Sequence, residues 1–100
     1  MKKDVKALIK RLTLLVQFKQ TGKGWIAVDG DGVTYISEGE PEFYPDGHSE
    51  SMDYWAFGRR GMNKELSNLD NMPLSMVCPS LTSKEALFYT DGETVWLIDQ

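Results

Sequence analysis

The sequence predicts an α+β domain in which an N-terminal amphipathic helix packs on a small, mostly antiparallel sheet built from hairpins. Three observations predict it. Apolar residues recur at helical spacing over the first twenty positions, and the period then changes to two at WIAVD and VTYIS. The chain closes with a second alternating pair, EALFYT and ETVWLID, around Asp91-Gly92. At 100 residues, 41% apolar and 26% charged, the chain is expected to form one domain, residues 1–100, with a single modest core.

The helix is expected over 4–20. Val5, Leu8, Ile9, Leu12, Leu15 and Val16 make one apolar stripe, with Lys2, Lys6, Lys10, Thr13, Gln17 and Gln20 opposite. Asp4 is the expected N-cap and Gly22 the expected left-handed terminator. Residues 25–37 form a hairpin. A two-residue loop at Gly30-Asp31 or at Asp31-Gly32 would place Ile26, Val28, Val33 and Tyr35 on one face in either register. Residues 38–52, with two prolines, two glycines and no periodicity, read as a long acidic loop. DYWAF then returns as a short strand, Gly58-Arg59-Arg60-Gly61 as a basic turn, residues 62–72 as a helical turn or two, and LSMVC as a short strand. The C-terminal hairpin is expected over 85–99, with Asp91-Gly92 in a type I′ turn. Its strands are apolar on both faces, so a cover is expected on each, the N-terminal helix being one.

Charge is segregated. Residues 1–24 carry seven bases and one acid, a net +6, whereas residues 25–100 carry four bases and fourteen acids, a net −10. Between Trp25 and Gly58 stand eight acids and no Lys or Arg. The single cysteine, Cys78, admits no internal disulfide and fits a reducing compartment. Lys6, Lys10 and Arg11 interrupt the N-terminal apolar run, so neither signal peptide nor membrane span is expected, and the location is read as cytoplasmic.

Most site chemistries fail on spacing. A calcium loop starting at Asp29 would need an oxygen ligand at Val33 and a glycine at Thr34. His48 and Cys78 are the only imidazole and thiol, too few for a closed zinc or iron site. A magnesium site on Asp46, Glu50 and Asp53 stays open, although nothing in their spacing requires it. No nucleophile elbow, P-loop or dinucleotide fingerprint occurs, so no catalytic residue, no cofactor and no enzyme activity are expected. The acidic majority disfavours general nucleic-acid binding. The charge suits a basic protein partner. The expected contact is Glu38, Glu40, Glu42, Phe43, Tyr44, Asp46, Glu50 and Asp53, with Arg59 and Arg60 as a secondary basic contact. Tyr54, Trp55 and Phe57 fit either that surface or the core.

Trp25, Ile26, Ala27, Asp29, Asp31, Gly32, Tyr35 and Pro41, and more loosely Trp55, resemble the W-I-A-x-D-x-D-G-x-x-Y pattern of a group of small phage and prophage proteins. The likeness covers roughly a third of the chain and leaves the first helix and last hairpin outside it. It implies phage provenance, expression inside a bacterial host, and no catalytic residue. Proteins of this sort commonly bind and block a host protein such as a restriction or CRISPR complex, some by presenting carboxylates where nucleic-acid phosphates would lie. The expected function is therefore a non-enzymatic inhibitor of a host protein with a basic surface, acting as monomer or homodimer. Two alternatives stay open. One is a small-ligand or nucleotide-binding module in which Arg59-Arg60 hold anionic groups while Trp55 or Tyr54 stacks on a base. The other is an assembly protein that self-associates through the first helix.

Overall fold

The computed structural model describes residues 1–44, 54–56 and 63–98. It is an α+β fold: one helix against a five-stranded antiparallel sheet, with a two-stranded sheet on the other side.

Helix α1 spans Lys3–Lys19 and buries Val5, Leu8, Leu12 and Val16 on the sheet. The expected cap is corrected. Lys2 occupies the N-cap position with no side-chain bond, and Asp4 lies inside the first turn. Its carboxylate accepts from the Val5 amide (3.0 Å) and from the Ser80 amide (2.8 Å), which complements the helix dipole and pins the helix start to a distant loop. The terminator is corrected too. Gln20, not Gly22, is the left-handed residue that ends the helix, at φ 52°. The Thr21 amide donates to Val16 and the Gln20 amide to Gln17, the paired bonds of a Schellman motif.

Strands β1 (Gly24–Val28) and β2 (Thr34–Ser37) form the first hairpin, in neither expected register. Ile26 faces Ile36 and Val28 faces Thr34. The loop has three residues, Gly30-Asp31-Gly32. The Gly32 amide donates to the Asp29 carbonyl, Gly32 sits at φ +92°, and the Asp29 amide donates to Val33. Such a turn with one left-handed glycine adds a residue to the loop, and a one-residue shift moves every β2 side chain to the opposite face. Thr34 and Ile36 are therefore buried under α1, and Val33 and Tyr35 are not.

Part of the expected acidic loop is strand: β3 (Glu42–Tyr44) pairs with β4 (Tyr54–Ala56), Phe43 opposite Trp55. Residues 63–67, expected to be helical, form edge strand β5 (Asn63–Ser67), which places Leu66 in the core. A left-handed turn follows. Leu69, Asp70 and Asn71 have φ of 51°, 59° and 61°, and the Ser67 hydroxyl and Asn68 side chain accept from the Leu69 and Asp70 amides. The expected strand at 74–78 is instead helix α2 (Leu74–Val77). Pro73 opens it, since a proline ring pre-sets the backbone and its missing amide costs nothing at a helix start, and Leu74 and Cys78 are then buried together.

Strands β6 (Leu87–Thr90) and β7 (Val95–Leu97) form the last hairpin, preceded by a 3₁₀ turn at Ser83–Glu85. Its loop is Asp91–Thr94, not a type I′ turn, because Gly92 has positive φ and Asp91 does not. The Asp91 carboxylate closes the loop by accepting from the Glu93 and Thr94 amides. The sheet order is β5-β2-β1-β6-β7. Among the described residues, no helix is long and apolar enough to cross a membrane.

Candidate functional site

The two faces of the five-stranded sheet differ. Toward α1 it presents Ile26, Val28, Ile36, Leu66, Phe88 and Val95, the main core. On the outer face, strand pairing lines side chains up in two rows. One runs Glu65, Tyr35, Ala27, Leu87, and the other runs Asn63, Ser37, Trp25, Tyr89, Trp96.

The β3–β4 hairpin covers the first row. Trp55 is buried against Ala27 and Leu87, and Phe43 packs edge-on to Trp55 with centroids 5.1 Å apart. Two polar bonds fix this cover. The Trp55 indole Nε1 donates to the Ser83 carbonyl at 2.9 Å, and its backbone amide donates to the Asp29 carboxylate at 2.8 Å. The first aspartate of D-G-D-G thus holds the small sheet on the large one. Burial pushes its carboxyl up to about 6; the Trp55 amide opposes this and the Asp31 charge adds to it. Asp31 itself accepts from the Val33 amide, and the Gly30 carbonyl accepts from Leu74, so the whole turn is structural. Gly32 abuts the Met72 carbonyl so closely that an added Cβ would lie 2.0 Å from it.

The second row is less covered: Ser37 is buried, Trp25 and Tyr89 are half-buried, and Trp25 packs at the edge of the Trp55 cluster. Trp25 meets Tyr89 edge-on at 5.1 Å, Tyr89 stacks with Trp96 at 6.4 Å, and Trp96 is 47% exposed. A depression of about 460 Å³ beside it is lined by Lys23, Gly24, Trp25, Glu38 and Tyr89. Glu38 arrives there because the buried Ser37 hydroxyl accepts from the Gly39 amide at 3.3 Å, a side-chain turn that ends β2. Glu40 and Glu42 continue the exposed acidic run, and the Tyr44 hydroxyl donates to Glu42 at 3.3 Å. Around the neighbouring row the field is also negative. Burial raises the Tyr35 hydroxyl's pKa, and the charges of Asp29, Glu65 and Asp31 raise it further.

Of the expected contact residues, Glu38, Glu40 and Glu42 are exposed together, whereas Phe43 and Tyr44 are half-buried and Phe43 belongs to the hairpin's packing. Asp46, Glu50, Asp53, Arg59 and Arg60 lie outside the described residues, as do His48 and Phe57. Trp55 is core, so its indole is not available to stack on a base. The outer-face aromatic row that sequence reasoning missed is Trp25, Tyr89 and Trp96. Their signal was the aromatic bias of one face of β1, β6 and β7, which suits a surface that must be both apolar and wet. Among the described residues no three His, Cys, Asp or Glu side chains cluster as metal ligands would.

Comparison with family models, curated proteins and solved structures finds no match for this chain.

Proposed function

We propose that this chain is a non-enzymatic binding protein that docks on, and blocks, a bacterial host protein with a basic surface, in the manner of an anti-restriction or anti-CRISPR inhibitor. The observation that carries the reading is the placement of Glu38 beside Trp25 and Tyr89, at the head of the exposed run Glu38, Glu40, Glu42. Exposed Trp and Tyr rings are the side chains most often found as interface anchors, and they also receive Arg and Lys through cation–π contacts. Carboxylates bordering such rings complete the match, because an arginine can lie on the ring and pair with the acid at its edge. The exposed carboxylates Glu38, Glu40 and Glu42 steer such a partner toward this row.

The reading is tested by affinity capture from bacterial lysate with three baits: the native chain, a Glu38, Glu40, Glu42, Asp46 to Ser variant, and Trp96→Ala. A protein retained by the native chain and lost from both variants is the expected result. A partner retained equally by all three baits would remove this face from the account.

A further inference from the structure

The outward side of α1 carries a second apolar line that the domain does not use. Leu14 is 57% and Phe18 86% exposed, and with Ala7, Lys10, Arg11 and Leu15 they line a groove along the helix. Positions 7, 11, 14 and 18 follow the alternating four- and three-residue step of a coiled-coil seam. Ala7 leaves a gap there, and Leu14 and Phe18 stand as knobs. Lys3, Lys6 and Lys10 are exposed around the line, and Arg11 is held by Asp70 at 3.0 Å. The one acid of α1, Asp4, is spent on the Val5 and Ser80 amides.

From this seam and its charge we infer that the outer face of α1 docks an acidic amphipathic helix of a partner protein, with apolar residues at the seam and Glu or Asp on its flanks. Three arguments select this occupant. A second copy paired in parallel would set Lys3 and Lys10 against their own like charges, and one paired antiparallel would offer them no carboxylate, since Asp4 is the one acid of α1 and is already bonded. An anionic membrane needs an apolar face of roughly 100° or more. This line is one side chain wide. A single acidic helix instead meets only the local positive strip, because charges beyond about 8–10 Å are screened. The groove shares no lining residue with the depressions beside Trp25, Tyr89 and Trp96, although Lys6 at its flank also borders Trp96; the Leu14/Phe18 variant therefore tests it independently of the proposed function.

The probe is a synthetic three-heptad peptide with Leu at the a and d positions and Glu at e and g, whose own charges prevent self-pairing. Its fluorescence anisotropy is followed on titration with the full chain, the double variant Leu14→Ser/Phe18→Ser, and Lys3→Glu/Lys10→Glu. The expected result is saturable binding to the native chain, weakened about tenfold or more in each variant and by added salt, consistent with the loss of one or two anchors. Both variants alter exposed side chains only, and unchanged thermal unfolding is the control for folding. Absence of saturable binding, equal binding of a matching peptide with Lys at e and g, or equal binding by the variants overturns the inference. So does association with phosphatidylglycerol vesicles without peptide binding, or a dimer in sedimentation that the Leu14/Phe18 variant abolishes.

Discussion

The Asp29 carboxylate accepts a hydrogen bond from the Trp55 backbone amide at 2.8 Å, and this contact holds the two-stranded sheet on the outer face of the five-stranded one. It decides which outer-face residues are covered: Ala27 and Leu87 lie beneath Trp55, Trp25 is half-buried at the edge, and Trp96 is exposed.

The contact has a pH signature. Asp29 titrates at about 6 in the folded chain against an ordinary 3.8, so between those values the folded state holds the proton more tightly than the unfolded one. Its contribution is therefore greatest at low pH, declines as pH rises from about 4 to about 6, and is level above. A two-unit shift corresponds to about 3 kcal/mol, which partial exposure of Asp29 reduces to about 1 kcal/mol. Asp29→Asn keeps an oxygen for the Trp55 amide and cannot ionise. It is expected to raise Tm at pH 7.5 by about 5 °C and to lack that decline, so that the stability difference between the two proteins widens from about pH 4 to about pH 6. A variant less stable than the native chain at pH 7.5 contradicts this account of the contact.

Gly32 is the next test. Its φ of +92° and its approach to the Met72 carbonyl leave no place for a methyl group. Gly32→Ala is expected to cost about 2 kcal/mol or more, because both backbone strain and a clash with main chain must be relieved. Gly39 has open space around it and serves as the control. Gly39→Ala is expected to stay within about 0.5 kcal/mol in urea unfolding. Equal effects at the two positions would refute the three-residue turn.

Cys78 is fully buried, and burial pushes its thiol up to about 11, with the Asp4 charge adding to the shift. A buried protonated thiol is a poor nucleophile. The native chain is expected to resist Ellman's reagent at pH 8 and to react completely once unfolded in guanidinium. Rapid labelling of the folded protein would contradict the burial of Cys78 in the main core.

How far the sequence spoke depended on whether the deciding contact was local. The stripe Val5, Leu8, Leu12, Val16 fixes its own partner face, so the helix and the α+β class were legible. The hairpin at D-G-D-G was legible as a hairpin, but its register was not. Two glycines permit several loop lengths, and the choice rests on Gly32 packing against Met72, forty residues away. The turn at Leu69–Asn71 left no signal, since no glycine marks its three left-handed residues, and side chains of Ser67 and Asn68 support it. At the candidate site the acids could be counted from composition. Which aromatics stay exposed could not, because that follows from the long-range bonds of Trp55 to Asp29 and Ser83.

The proposed docking of a basic protein beside Glu38, Glu40 and Glu42 is tested most directly by the salt dependence of affinity between this chain and a host protein retained in the affinity capture. Titrations at about 50 and about 300 mM salt straddle the range over which exposed charges become screened. The account predicts an affinity that falls steeply with salt for the native chain. In the Glu38, Glu40, Glu42, Asp46 to Ser variant it should be about tenfold weaker or worse and nearly independent of salt. An unchanged affinity with an unchanged salt slope would contradict it.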